Sequence, residues 1–166
     1  MTASPARRVL VAGIGNVFRT DDGFGSEVAR QLAGLPWPDG VRVVDYGIRG
    51  VHLAYDLLDG WDVLVLVDAV PDRGAVGSVD VLAIGPDDVP AGAPLDAHGM
   101  DPATVLAALA RLGGRLPPRT FLVGCQVAET ADGMGLTPAV EEAVGPAVRA
   151  VQELVSGAAA RPVEVG

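Results

Sequence analysis

A chain of 166 residues with a net charge of −9 is long enough for one domain with a single core, and too acidic to favour a nucleic-acid partner. All 12 basic residues are arginine, which excludes lysine nucleophiles and the lysine of a phosphate-binding P-loop. Residues 9–18, the longest uncharged stretch, are about half as long as a membrane-spanning helix, so no membrane partner is expected.

The first predicted element follows Arg7 and Arg8, and a pair of arginines before an apolar run can mark a signal sequence. Asn16, Arg19 and the next aspartates arrive before such a signal is complete, so the run is interpreted as a strand. The single cysteine, Cys125, cannot form an internal disulfide. We therefore expect a cytoplasmic protein.

Apolar runs rich in Val and Leu predict five strands, and apolar residues spaced by three and four predict four helices between and after them. The strands are at 9–11, 41–44, 63–67, 79–82 and 121–123, and the helices at 26–35, 51–58, 102–112 and 138–155. This alternation predicts an α/β fold, a three-layer sandwich with a five-stranded, mostly parallel sheet and helices on both faces. The short turn at 71–74 predicts that the fourth strand is an antiparallel edge strand. Residues 84–97 are predicted to form a surface loop, and the single domain (1–166) to have a core at 8–156 and a flexible tail at 157–166.

Polar residues follow several of the predicted strands, where ligands bind in open α/β sheets. After the first strand, Gly13 and Gly15 precede the pair Asp21 and Asp22. Phe18 occupies the third glycine position of the dinucleotide fingerprint, and the two aspartates would repel a pyrophosphate, so nucleotide binding is disfavoured. We expect the glycines to allow a tight turn that directs one carboxylate to the sheet edge, while the other caps the helix.

Asp68 follows the third strand, and His98 precedes the third helix. Each has a simpler interpretation, Asp68 as a hydrogen-bonded residue at a strand end and His98 as a solvated loop residue. Together with Asp22 they form a mixed oxygen and nitrogen set suited to a divalent transition metal. A nucleophilic pair of Cys125 and His98 is conceivable, but a lone cysteine beside a core strand usually serves packing.

The combination of these motifs resembles the hydrogenase maturation endopeptidases, the C-terminal processing proteases of nickel-iron hydrogenase large subunits. The resemblance runs from about residue 9 to residue 155. The matching motifs are Gly13-Ile14-Gly15-Asn16, Asp21-Asp22-Gly23 with Gly25, Val67-Asp68-Ala69, His98 before a helix, and Gly135-Leu136-Thr137-Pro138.

The resemblance implies a twisted five-stranded sheet and an enzyme that cuts the C-terminal extension from a nickel-loaded large-subunit precursor. The nickel is supplied by the substrate, and its ligands on this chain would be Asp22, Asp68 and His98. Zinc or cadmium is expected to occupy the same ligands in vitro. The protein is expected to act as a monomer, with no nucleic-acid or membrane partner.

The resemblance also implies a catalytic set of Asp45, Asp22 and Asp68, in which Asp45 carries the proton. The family usually shows Asp-Gly-Gly-Thr after the second strand, whereas here Asp45 is followed by Tyr46, Gly47 and Ile48. This departure leaves open a purely structural role for Asp45. Two other functions also remain open, a non-enzymatic chaperone or checkpoint for the nickel site and a metallohydrolase with its own bound zinc.

Overall fold

The computed structural model describes residues 7–88, 102–128 and 130–160 and contains all nine predicted elements. Helices lie between or after strands as the apolar spacing predicts. The strands are β1 (Val9–Ile14), β2 (Val41–Gly47), β3 (Val63–Pro71), β4 (Val79–Ile84) and β5 (Arg119–Val127). The helices are α1 (Phe24–Ala33), α2 (Gly50–Leu57), α3 (Pro102–Arg111) and α4 (Pro138–Ala160), with short 3-10 turns at Thr20–Gly23 and Pro86–Asp88.

The five strands form one sheet in the order β2-β1-β3-β5-β4. Neighbouring strands are parallel except at the edge, where β4 runs antiparallel to β5. The predicted antiparallel edge strand is therefore confirmed. Although the turn after β3 is short, β4 does not pair with β3, because β5 is inserted between them.

Alternate residues of the central strands supply two separate cores, one on each face of the sheet. In β3, Val63, Val65 and Val67 face α1 and α4, whereas Leu64 and Leu66 face α2 and α3. A strand buried on both faces has to be apolar at every position, which explains the uninterrupted run of this segment. The α/β sandwich with helices on both faces is confirmed.

Element ends are where the structure differs most from the sequence-based prediction. Helix α4 continues to Ala160, so residues 157–160, predicted to belong to the tail, are helical. Of the predicted loop at 84–97, Ile84 belongs to β4 and Pro86–Asp88 to a 3-10 turn, and the remainder lies outside the described residues. Among the described helices, none is both long and apolar enough to cross a bilayer.

Candidate active site

Strands β1 and β2 end at the carboxyl edge of the sheet, beside the continuing strand β3, and this arrangement brings two predicted site residues level with each other. Gly13, near the end of β1, pairs with Asp45 of β2 on one side and with Val67 of β3 on the other. Asp68 follows Val67 in β3 and lies beyond the last residue of β3 that pairs with β1. The register therefore places Asp45 and Asp68 on either side of the turn that follows β1.

Gly15 forms that turn, and its backbone φ of 140° is one that residues with a Cβ rarely adopt. A Cβ at this position would overlap the carbonyl oxygen of Asp22 and would lie 3.8 Å from Oδ1 of Asp68. Asp22 and Asp68 thus border the same glycine. The expectation that Gly15 permits a tight turn at the sheet edge is confirmed, whereas Gly13 continues β1 as a strand residue.

The side chain of Asp22 is half-buried and folds back onto the β1 turn. Its Oδ2 accepts a hydrogen bond from the backbone N–H of Asn16 at 3.0 Å. Asn16 in turn accepts a bond from the N–H of Phe18 through its side-chain oxygen, at 2.9 Å. These bonds fix the carboxylate at the sheet edge and leave it partly accessible.

Asp68 is the more deeply buried of the two, with 4% of its surface exposed. Its Oδ1 accepts a hydrogen bond from the N–H of Ala69 at 2.8 Å. The third predicted metal ligand, His98, lies outside the described residues. Within the part of the chain that the structure describes, no three His, Cys, Asp or Glu side chains come close enough together to hold a metal ion.

Asp45 is exposed at the end of β2, and its carboxylate has a fixed orientation. Its Oδ1 accepts hydrogen bonds from the hydroxyl of Ser26, at 2.7 Å, and from the N–H of Gly47, at 3.0 Å. The carbonyl oxygen of Gly47 accepts the N–H of Gly15 at 3.0 Å, which ties this loop to the turn beside Asp22 and Asp68. Ser26 was missed by sequence reasoning, although a serine among the buried residues of an amphipathic helix is a signal worth following.

Tyr46, which replaces a glycine of the family pattern, is directed into the core rather than into the site. Its side chain is buried against α2 and α3, and its hydroxyl donates a 2.6 Å hydrogen bond to Asp56. Burial, with a further contribution from Asp56, raises the pKa of the Tyr46 phenol. The substitution therefore leaves the position of Asp45 at the strand end unobstructed.

Asp21 is buried and binds the residue before α4, whereas an aspartate was expected to cap α1. Its two oxygens accept hydrogen bonds from the N–H of Thr137, at 2.7 Å, and from the Thr137 hydroxyl, at 2.8 Å. No side-chain cap is present at the start of α1, so the expected capping of that helix is wrong. Thr137 directly precedes Pro138, the first residue of α4, and threonine followed by proline is common at the start of a helix. The bonds from Thr137 to Asp21 therefore fix the start of α4 against the turn before α1.

Cys125 lies in the core between the sheet and the helices α1 and α4. Burial raises the pKa of its thiol to about 11, and the nearby charge of Asp21 acts in the same direction. A nucleophilic cysteine requires a lowered pKa and access to substrate, and Cys125 has neither. The buried, protonated thiol of Cys125 therefore disfavours the alternative of a nucleophilic pair of Cys125 and His98.

A cavity of about 520 Å³ adjoins this edge of the sheet. Asp45 and Ser26 line one side of it, and the first turn of α4 and the segment before that helix line the other. A cavity of this size is typical of sites that bind a small molecule or a short peptide segment. Its lining connects the Asp45 carboxylate with the outer surface of α1.

A family model described as hydrogenase maturation protease matches residues 26–154. A hydrogenase expression/formation protein HupD of Rhodobacter capsulatus is 38% identical, with 93% of this chain and 74% of the relative covered. The hydrogenase 2 maturation protease of Escherichia coli is 34% identical, with 87% of this chain and 88% of the relative covered.

Solved structures give the same relationship. The hydrogenase maturating endopeptidase HybD of E. coli superposes with a TM-score of 0.77 at 31% identity, covering 91% of this chain and 93% of that one. A maturation protease HybD of Thermococcus kodakarensis gives a TM-score of 0.68 at 28% identity, covering 89% and 99% of the two chains. Fold and sequence therefore point to one group of proteins.

Proposed function

The chain belongs to the hydrogenase maturation protease family, and we propose that it is the endopeptidase that removes the C-terminal extension from a nickel-loaded nickel-iron hydrogenase large-subunit precursor. The observation that carries this proposal is the arrangement of carboxylates around the β1 turn. The Asp22 carboxylate accepts the N–H of Asn16, the residue after Gly15, and Oδ1 of Asp68 would lie 3.8 Å from a Cβ at Gly15. The loop of Asp45 is hydrogen-bonded to the same glycine. The nickel is part of the substrate and arrives with the precursor.

The donor chemistry at this edge fits a divalent transition metal. Asp22 and Asp68 supply carboxylate oxygens, and His98 would supply an imidazole nitrogen. Such a set leaves coordination positions open, which the precursor's own ligands would fill. Recognition through a shared ion would make cleavage conditional on nickel insertion, because an empty precursor offers nothing for these carboxylates to bind.

Asp45 is the proposed proton carrier in the hydrolysis. Hydrolysis of a peptide bond by water requires a group that accepts a proton from the water and returns one to the leaving amine. The Asp45 carboxylate has one oxygen occupied by Ser26 and Gly47. Those bonds fix its orientation, and within residues 7–88, 102–128 and 130–160 its other oxygen accepts no side-chain or backbone hydrogen bond. The nickel of a bound precursor would polarise the scissile carbonyl or the attacking water.

Mass spectrometry of a purified, nickel-loaded precursor incubated with the protein tests this function. The precursor should lose the mass of its C-terminal extension in a single cut. A chaperone or checkpoint would leave the mass unchanged. A metallohydrolase with its own zinc would purify with stoichiometric metal and would also cut nickel-free precursor, so either result would overturn the proposal.

A further inference from the structure

Helix α2 has apolar side chains on its outer side as well as on the side that packs into the core against β2 and α3. On the outer side, Val51, Tyr55 and Leu58 are spaced by four and three residues, so they lie along one line of the helix. Ile48 comes three residues before Val51, in the turn that leads into α2. These four residues, the α2 face, are 43% to 61% exposed. A helix that packs only on the core is polar on its outer side, so the α2 face calls for a partner.

The α2 face starts at the edge of the sheet that carries the candidate active site. Gly47, the last residue of β2, accepts the N–H of Gly15 at 3.0 Å, and Ile48 follows it directly. The N–H of Arg49 donates to the carbonyl of Tyr46 at 2.9 Å, so the chain turns at once from β2 into α2. A partner that lies across the Gly15 turn would therefore meet Ile48, and its contact could continue along α2.

The size of the α2 face decides between two kinds of occupant. A specific interface usually takes about 800 Å² and about 20 to 30 residues from each partner. Four side chains are too few to hold a second copy of this chain by themselves. They are enough to extend an interface that already exists at the sheet edge, because the loss of translational and rotational freedom is incurred only once.

Tyr55 is the member of the α2 face that should contribute most to binding. A tyrosine ring buries a large apolar area at low cost in conformational entropy, and tyrosine is frequent among the residues that dominate binding energy. The other tyrosine of the chain, Tyr46, is in the core, with its hydroxyl bonded to Asp56 at 2.6 Å. Ile48, at the site end of the face, stands where the family pattern has a threonine, so the departure makes this edge more apolar.

We propose that the α2 face is a docking surface for an apolar patch on the body of the hydrogenase precursor, outside the segment that is cut. The inference rests on the proposed function, because the precursor is the partner. Val51 and Tyr55 lie farther along the chain from the site than Ile48 and touch none of the proposed reacting groups. They therefore contribute to binding of the precursor and not to the chemical step.

The experiment compares Tyr55→Ser with Leu82→Ser in cleavage of the purified nickel-loaded precursor. Leu82 is 52% exposed, against 53% for Tyr55, and belongs to β4, at the opposite edge of the sheet from β2. It is therefore a control for the loss of one exposed apolar side chain. Tyr55→Ser should raise KM about tenfold with little change in kcat, and Leu82→Ser should leave both constants within about twofold.

Two further variants test whether apolar area is the cause. Tyr55→Phe keeps the ring and should keep KM within about twofold of the unmodified protein. Val51→Ser should raise KM in the same direction as Tyr55→Ser. Equal KM values for Tyr55→Ser and Leu82→Ser, with normal cleavage by the unmodified protein, would overturn the docking surface and leave the proposed function standing.

Analytical ultracentrifugation tests the second copy as occupant. A dimer that Tyr55→Ser dissociates without a change in KM would assign the α2 face to self-association and overturn the proposal. Absence of cleavage by the unmodified protein would instead refute the proposed function. Isothermal titration of the same precursor against Tyr55→Ser and Leu82→Ser would then still decide the role of the face, because equal affinities would overturn it.

Discussion

Asp68 is the residue on which the proposed metal contact depends most. It is buried at the sheet edge, beyond the pairing of β1 and β3, and its Oδ1 would lie 3.8 Å from a Cβ at Gly15. Asparagine has the same shape but no charge and is a poor ligand for a divalent cation. The substitution therefore separates the role of the charge from that of packing.

Asp68→Asn should reduce tail removal by about a hundredfold or more, since a metal-held carboxylate contributes several kcal/mol. Cleavage of the nickel-loaded precursor, followed by mass spectrometry, measures the loss. Asp72→Asn in the exposed turn after β3 is the matched control, because asparagine can retain the Asp72 side-chain bond to Gly74. Equal activity of the two variants would remove Asp68 from the site.

The buried thiol of Cys125 makes the free energy of unfolding depend on pH in the alkaline range. Its thiol pKa is about 11 in the folded chain against 9.0 as the ordinary value, so the folded chain retains this proton after the unfolded chain has lost it. The stabilisation is complete below pH 9 and declines as the pH rises towards 11.

The free energy of unfolding, measured by urea titration, should therefore fall between pH 9 and pH 11, by about 2 kcal/mol from this thiol. Cys125→Ser should show a shallower decline over the same interval and should retain cleavage activity. Tyr46, whose pKa is also raised, contributes to both curves, so the difference between them isolates the thiol. Parallel curves, or a folded but inactive variant, would contradict this description of Cys125.

Single residues were the least predictable level of this structure. The sequence singled out Asp22 and Asp68 because they follow predicted strands, and Asp45 through the family resemblance; the roles of all three stay predictions. The bonds from Ser26 to Asp45 and from Asp21 to Thr137 join residues 19 and 116 positions apart, and no local pattern encodes such pairings. Tyr46 appeared to be a change in the site loop, and only its burial against α2 shows that its side chain belongs to the core.

At the level of elements, α1 packs unusually close to the strands that carry the site. A Cβ on Gly25 would overlap the carbonyl oxygens of Ile14 and Val67. A Cβ on Gly13 would in turn overlap the carbonyl oxygen of Gly25. Two glycines thus bring the start of the helix onto the ends of β1 and β3, and this contact positions the Asp22 turn.

Gly25→Ala should lower the free energy of unfolding by at least about 2 kcal/mol, because the new methyl group meets backbone that cannot rotate away. Gly34→Ala is the control at the other end of α1, where the φ is −82° and a Cβ would lie 3.6 Å from the nearest atom, the carbonyl oxygen of Gln31. That variant should stay within about 0.5 kcal/mol of the unmodified protein. Urea titration of both measures the difference, and equal values would show that the close approach is not needed.

The elements themselves were largely predictable, because burial on both faces of a parallel sheet leaves continuous apolar runs. The residues at which the elements end were less predictable. Helix α4 passes Ser156 and reaches Ala160 through the small residues of that segment, which carry little periodicity. The edge position of β4 followed from the short turn before it, whereas the insertion of β5 between β3 and β4 depends on long-range pairing.

At the scale of the whole molecule, the protein presents the carboxylates of Asp22, Asp45 and Asp68 and an adjoining cavity at one edge of its sheet. In the proposed function, Asp22 and Asp68 would form part of a ligand set that a precursor carrying its own nickel completes. The central claim is therefore that nickel links the two proteins. It predicts that affinity for the precursor depends on the ion.

Isothermal titration of the protein against nickel-loaded and nickel-free precursor tests this claim most directly. The nickel-loaded form should bind about a hundredfold more tightly, equivalent to a few kcal/mol from side chains that converge on one ion. Asp68→Asn should remove most of that difference while leaving the affinity for the nickel-free form unchanged. Equal affinities of the unmodified protein for the two precursors would contradict the account and would show that Asp22 and Asp68 do not contact the ion.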